Sequence, residues 1–255
     1  MKNMKRKALI VAVMALLLVA ILAMSVSTFA KYTTTKNYTS GNAAVAKWGF
    51  VVSVQTGSMF SNAYGAKDVT VSKAVAYDDA VNVKASSAGT KVVAPGTTGE
   101  MTFSITGTAE VLSKIAITVN ANDVALTYND GVNPAQTYNP VKWTLMKETA
   151  TPGTYAAVAG NENVTLATIE STLEGWSVSE LAPLAPNTNF ANAGNYKLVW
   201  TWAFSNASTG IDDEAANTVD EADTLLGSDL ALPAKYTKAT TLSFEMTIEI
   251  TQIQK

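Results

Sequence analysis

The chain has 255 residues, with 18 basic and 21 acidic side chains and neither histidine nor cysteine. The absence of histidine excludes Ser-His-Asp and Cys-His nucleophile systems, and zinc sites that use histidine, such as the HExxH type. A glycosidase that works with two carboxylates is an enzyme class that these counts leave open. An exported chain without cysteine is typical of a Gram-positive bacterial surface, and a domain of this length can bury a core without disulfides.

The N-terminus has the three parts of a secretory signal peptide. Four basic residues lie within residues 2–7, an uncharged apolar run covers Ala8–Ser27, and small residues lead to Ala30. We therefore expect a signal peptide over residues 1–30, with cleavage between Ala30 and Lys31. An uncleaved membrane anchor is the alternative, because about 20 apolar residues can span a bilayer. In both cases the basic flank places the body of the protein outside the cell, and the membrane is a partner only through this segment.

Removal of the signal peptide changes the charge balance. The mature chain keeps 14 basic and 21 acidic residues, which gives a net charge of −7. This charge argues against nucleic acid and against anionic lipid surfaces as partners.

The next segment, residues 31–54, begins with "KYTTTKNYTSGN". Its threonines and tyrosines favour strands, and the quoted stretch has no proline. It can be an ordinary first strand of its own chain, or a strand donated to the open sheet edge of another copy. The residues that would set the register of a donated strand are Tyr32, Tyr38, Val45, Trp48 and Phe50.

Residues 55–255 read as one domain made of strands, because apolar residues alternate with polar ones in short runs bounded by turn residues. The clearest runs place on one face Met101, Phe103 and Ile105; Ile115, Ile117 and Val119; Val141, Trp143 and Leu145; Tyr196, Leu198, Trp200 and Trp202; and Leu242, Phe244, Met246, Ile248 and Ile250.

One segment departs from this alternation. Leu166, Ile169 and Leu173 recur at helical spacing and Gly175 follows, which predicts a short helix. We therefore expect an all-β fold, a jelly-roll or immunoglobulin-like antiparallel β-sandwich with one short helix.

The main acidic cluster lies between the last two long strand patterns. Its members are Asp212, Asp213, Glu214, Asp220, Glu221, Asp223 and Asp229. Carboxylates suit Ca²⁺, and the candidate ligands are Asp212, Asp213, Asp220 and Asp223. The spacing does not match an EF-hand, so a solvated acidic loop without metal is the alternative. No other cofactor is expected.

The tryptophans allow two interpretations. Trp143, Trp176, Trp200 and Trp202 could line a carbohydrate platform. Strand positions and alternation favour core packing instead, since Trp143 and Trp200 lie within the strand patterns.

Three stretches resemble a known family in their order. They are "GNAAVAKWGF" after the signal peptide, "VVAPGTTGEMTFSITGTAEVLSKIAITVN" over Val92–Asn120, and a C-terminal half with "YKLVWTWAFSN", "DEADTLLG" and "KATTLSFEMTIEITQ". This layout is similar to that of the TasA/camelysin family of biofilm-matrix and cell-surface proteins, which are exported through a SipW-type signal peptidase.

The resemblance implies a jelly-roll fold and assembly into extracellular fibres, in which the N-terminal segment of one subunit completes the sheet of the next. Camelysin-like members are metal-dependent peptidases, but this chain has no histidine and no HExxH motif. Peptidase activity is therefore not carried over, and we expect no enzyme.

The expected function is that of a secreted structural subunit. Its partners would be copies of itself and other matrix or anchor proteins on a Gram-positive surface. The alternative is a monomeric surface module that binds carbohydrate or protein through its acidic loop and Trp176, and a camelysin-like peptidase is the third hypothesis.

Overall fold

The computed structural model describes residues 45–54, 59–64, 83–87, 89–204, 211 and 213–254. The chain forms two compact units, Met1–Trp48 and Gly49–Lys255, and only residues 45–48 of the first are described. The second unit contains all the strands and helices of the described residues.

The described part of the chain contains twelve strands and two helices, joined by loops. The strands are β1 (Val51–Val54), β2 (Ala63–Tyr64), β3 (Val83–Lys84), β4 (Thr98–Thr106), β5 (Ser113–Asn122), β6 (Ala125–Tyr128), β7 (Gln136–Tyr138), β8 (Val141–Glu148), β9 (Tyr155–Ala157), β10 (Gly194–Trp202), β11 (Tyr236–Ala239) and β12 (Ser243–Gln252). The helices are α1 (Leu166–Gly175) and α2 (Val219–Gly227).

Five strands form an antiparallel sheet in the order β1–β4–β10–β8–β9, called here the five-stranded sheet. The central strand, β10, pairs with β4 on one side and with β8 on the other. Opposite residues of antiparallel strands point to the same face, so the three strands bury one common face. That face carries the residues predicted from the alternation: Phe103, Ile105, Val141, Trp143, Leu145, Tyr196, Leu198, Trp200 and Trp202.

The second layer comes from two strand pairs that follow each other along the chain. β12 pairs with β5 from Ser243↔Asn122 onward, and β11 pairs with β6 from Ala239↔Ala125 onward. Two residues separate β5 from β6, whereas three residues separate β11 from β12. Such an unequal number of residues interrupts the ladder, as in a β-bulge. β7 extends the β11–β6 pair to three strands.

A ring contact joins the two layers, because Trp143 of β8 lies 5.6 Å from Phe244 of β12, measured between ring centroids. Tyr196 of β10 lies 4.9 Å from Trp176, which follows α1. The predicted all-β class is therefore confirmed, with the core between antiparallel layers in a sandwich-like arrangement. The jelly-roll or immunoglobulin-like order of connections stays a prediction.

The helix prediction was correct at one place and incomplete at another. α1 buries Leu166, Ile169 and Leu173 as expected. The expectation of one helix was wrong, because the acidic segment forms α2. Thr218 begins that helix with a capping box, and Ala222 and Leu226 of the helix are buried four residues apart, which anchors one side of it.

Candidate functional site

Five of the predicted functional residues lie outside the described residues. They are Ala30, Lys31, Tyr32, Tyr38 and Asp212. The cleavage site and the first half of the candidate donor strand therefore stay predictions. No helix among the described residues is long and apolar enough to cross a membrane.

The other three donor-strand candidates are described. Val45 and Trp48 are 55% and 43% exposed. Phe50 belongs to the second unit, where it is half-buried and packs against the core of its own chain. The residues predicted to act together thus have different surroundings.

Among the described strands, β1 lies at an edge and leaves apolar side chains accessible. Val52 pairs with Ile105 and Val54 with Phe103, so both valines point to the buried face of the five-stranded sheet. Ile105 and Phe103 are 0% and 3% exposed, whereas Val52 and Val54 are 38% and 45% exposed. A neighbouring strand or side chain at this edge would bury further apolar area, which is favourable.

One edge of the β5–β12 pair is closed by the last turn of α1 and the segment that follows it. Ser113 and Leu184 exchange two backbone hydrogen bonds of 3.0 and 2.8 Å, and Ile115 and Val178 exchange two of 3.1 and 2.8 Å. Further along the same edge, the N–H groups of Ile117 and Val119 donate to the side chains of Ser177 and Glu174, respectively. The N–H groups of these alternate residues of β5 all point away from β12.

The opposite edge, on β12, is open among the described residues, since β5 is the one described strand that pairs with it. Met246, Ile248 and Ile250 lie opposite Val119, Ile117 and Ile115. Because the N–H groups of these β5 residues point away from β12, the three pairs are the non-hydrogen-bonded pairs of the antiparallel ladder. In such pairs the backbone groups of both residues point away from the partner strand. The N–H and C=O groups of these three residues therefore point to the open edge, while their side chains are half-buried against the core.

The predicted calcium ligands that the structure describes lie in different local environments. Asp212 lies outside the described residues, and Asp220 is exposed on α2. Asp213 pairs with Lys235 and also accepts a hydrogen bond from the hydroxyl of Tyr236. The described residues contain no group of three or more acidic side chains placed to hold a metal ion. The calcium prediction stays untested, because one of its four ligands, Asp212, lies outside the described residues.

Among the described members of the acidic cluster, Asp223 is the buried one, at 8% exposure. Its carboxylate accepts hydrogen bonds from Tyr138 Oη at 2.9 Å and from Trp202 Nε1 at 3.1 Å. Burial raises the pKa of Asp223 to about 6, against the lowering effect of these two hydrogen bonds. The sequence signal was present in the T-x-x-E pattern of Thr218–Glu221, which starts a helix and so turns this acid inward.

A second carboxyl group with a raised pKa, that of Asp123, lies in a small cavity beside α1. Burial raises the pKa of Asp123 to about 6, and burial also raises the pKa of Glu170. Both line a cavity of about 270 Å³ together with Asn139. Sequence reasoning missed this pair, because the two residues are 47 positions apart and neither belongs to an acidic run.

The tryptophans serve the core, as their strand positions predicted. Trp143, Trp200 and Trp202 are 0%, 0% and 5% exposed. Trp176 is half-buried and packs on Tyr196, so it is not a free platform.

No protein-family model matches the chain, and the curated proteins contain no significant relative.

Proposed function

We propose that this protein is a secreted structural subunit that polymerises by strand donation into extracellular biofilm-matrix or cell-surface fibres. The observation that carries the proposal is the difference between the two edges of the β5–β12 pair. Residues at the end of α1 and in the segment after it close the β5 edge with hydrogen bonds to Ser113, Ile115, Ile117 and Val119, whereas the ten residues of β12 have no second strand among the described residues.

A long edge of this kind is a template for pairing with another chain. Soluble proteins limit such pairing with charges, and β12 carries Glu245 and Glu249 on its exposed face. The segment that would follow signal cleavage begins with Lys31 and contains Lys36. A basic strand therefore fits beside an acidic one, and backbone hydrogen bonds would supply the affinity.

The direction of assembly follows from the use of two different surfaces. Donation of an N-terminal segment to the β12 edge of the next copy is a head-to-tail contact. Contacts of this type do not close on themselves unless the rotation allows a ring, so they lead to filaments. The proposal assigns the protein no catalytic step.

The secreted protein and one deletion variant test the N-terminal segment. N-terminal sequencing would give Lys31 as the first residue, and negative-stain electron microscopy would show filaments. Deletion of residues 31–40 is expected to abolish the filaments while the melting transition of the domain remains. Normal filaments from the deleted protein would refute strand donation by this segment.

The acceptor edge is tested with a matched pair at Met246. Met246→Pro removes one outward N–H of the open edge, and Met246→Ala removes the same side chain but keeps that N–H. We expect filaments from the alanine variant and monomers from the proline variant, with similar melting temperatures. Filaments from both folded variants would exclude β12 as the acceptor.

A further inference from the structure

One row of residues crosses all five strands on the outer face of the five-stranded sheet, the face that points away from the core. Ser53 of β1 lies opposite Ser104 of β4, which lies opposite Asn195 of β10. On the other side of β10, Glu148 of β8 lies opposite Tyr155 of β9. Asn195 Nδ2 donates to Glu148 Oε2 at 2.5 Å and links the two halves. These five residues are called here the polar row.

Four members of this row, all except Glu148, line an open groove of about 500 Å³. Its polar lining comes from Ser53, Thr102, Ser104, Asn195 and Tyr155. A volume of this size falls within the range of about 300–1,000 Å³ that is common for small-molecule sites.

The groups in the groove can both donate and accept hydrogen bonds. The hydroxyls of Ser53, Ser104 and Tyr155 have no hydrogen-bond partner among the described residues. A hydroxyl offers one donor and two acceptor positions. Three such groups beside the amide of Asn195 match a ligand whose own surface consists of hydroxyls.

The charged groups around the groove are already compensated. Lys197 Nζ lies 3.0 Å from a carboxylate oxygen of Glu100 and 5.1 Å from the centroid of the Tyr155 ring. Glu148 accepts hydrogen bonds from Asn195 and, at 2.6 Å, from the backbone N–H of Gly153. Lys197 is paired with Glu100, Glu148 has its acceptor oxygens engaged by neutral donors, and no Lys or Arg among the described residues lines the groove. The groove therefore favours a neutral ligand over an anionic one.

We propose that this groove binds a neutral oligosaccharide. The half-buried ring of Tyr155, at the β9 end, would pack on the apolar face of one sugar ring, and the polar row would hold the hydroxyls of the next. This activity goes beyond fibre formation, since it gives each subunit a means of binding a glycan. It also differs from the binding module expected at the acidic loop and Trp176, because neither lines this groove.

The test uses the mature protein labelled with ¹⁵N and three probes: a β-1,4-linked glucose hexasaccharide, an N-acetylglucosamine hexasaccharide and, as the charged arm, an alginate hexasaccharide. We expect chemical-shift changes at the amides of Ser53, Ser104 and Asn195 with at least one neutral probe, at a Kd of about 0.1–1 mM, equivalent to about 4–5.5 kcal/mol. Alginate is expected to bind at least tenfold more weakly.

Four variants localise the effect. Tyr155→Ala removes the ring and Ser104→Leu fills the middle of the groove, and each is expected to weaken binding at least tenfold. Tyr155→Phe keeps the ring but removes its hydroxyl, and is expected to weaken binding less than Tyr155→Ala does. Phe204→Ala, at an aromatic residue that is 52% exposed and does not line the groove, is the control and should bind normally.

Each variant is first shown to melt cooperatively, so that loss of binding is not loss of fold. Absence of shift changes with both neutral probes at 10 mM would overturn the proposal. Equal affinity in the wild type, Tyr155→Ala and Ser104→Leu would overturn it as well, since binding would then lie elsewhere. Preference for alginate would contradict the inference of a neutral ligand.

Discussion

Trp143 and Trp200 lie directly opposite each other on β8 and β10, and both are completely buried. Their indole N–H groups differ in hydrogen bonding. Trp200 Nε1 donates to the carbonyl of Met59 at 3.2 Å. Trp143 Nε1 is a buried side-chain donor without a partner in the part of the chain that the structure describes. Two neighbouring residues of one type therefore contribute differently to stability.

This difference predicts the outcome of two matched substitutions. Trp143→Phe removes a donor that was buried without a hydrogen bond, whereas Trp200→Phe removes a donor that satisfies Met59. Both leave a comparable small cavity. We expect Trp143→Phe to lower the free energy of unfolding by about 1–3 kcal/mol less than Trp200→Phe does, as measured by urea denaturation. Equal losses would show that the Trp200 hydrogen bond contributes nothing.

Gly99 makes room for the same hydrogen bond. A Cβ atom at this position would lie 2.2 Å from the Met59 carbonyl oxygen and 2.6 Å from Trp200 Nε1. Gly99→Ala must therefore move the backbone of Met59, and we expect it to lower the free energy of unfolding by about 2 kcal/mol or more. Gly175→Ala is the control, because nothing lies within 4 Å of its Cβ position. Urea denaturation measures the effect, and a loss for Gly99→Ala no larger than that for Gly175→Ala would contradict this account.

The two helices offer a matched test of capping. Thr218 at the start of α2 accepts a hydrogen bond from the N–H of Glu221, whereas Thr165 at the start of α1 makes no capping hydrogen bond. We expect Thr218→Ala to cost about 1 kcal/mol and Thr165→Ala clearly less. Chemical denaturation of both variants measures the difference, and equal costs would mean that the capping box does not stabilise α2.

The sequence predicted those parts of the fold that depend on short-range patterns. Period-two alternation identified β10, where every second side chain is buried, and helical spacing identified α1. Turn residues separate the strands, and Gly131 between β6 and β7 and Gly153 between β8 and β9 have φ angles of 76° and 79°. These features need only neighbours within a few residues, so a single sequence contains them.

The pairing of strands could not be predicted in the same way. The closure of the β5 edge depends on Ser177 and Leu184, which lie some 60 or 70 residues beyond their partners. Nothing in the local pattern around Ser113 or Ile117 identifies these contacts. The polar row was missed for the same reason, because each of its residues looks like an ordinary outward position of its own strand. Only the register places Ser104 beside Asn195.

The inward turn of Asp223 was missed because its acidic neighbours suggested a solvated loop. The hydroxyl of Tyr138 and the indole of Trp202 bind its carboxylate, and these donors come from β7 and β10. Asp223→Ala would leave both donors without this acceptor. We expect a loss of about 2–4 kcal/mol in the free energy of unfolding, against less than about 0.5 kcal/mol for Asp220→Asn on the exposed side of the same helix. Similar losses in the two urea titrations would contradict this assignment.

The same carboxyl group predicts a pH dependence of stability. The ordinary pKa of an aspartate is 3.8, and burial raises the pKa of Asp223 in the folded protein to about 6. A raised pKa means that the folded state binds the proton more tightly than the unfolded state does. The contribution of Asp223 to stability is therefore complete below about pH 4 and is lost as the pH rises through about 6. At about 1.4 kcal/mol per pH unit, the loss amounts to at most about 3 kcal/mol.

Asp223→Asn isolates this contribution, because the amide keeps an acceptor oxygen but does not ionise. Between pH 4 and 6.5 the free energy of unfolding of the variant should rise relative to that of the wild type. Asp123 also has a raised pKa, but it is present in both proteins and cancels in the comparison. Asp213, whose pKa is lowered to about 2 by Lys235 and Tyr236, stays ionised across this range. A constant difference between the two proteins over the range would show that Asp223 titrates alike in the folded and unfolded states.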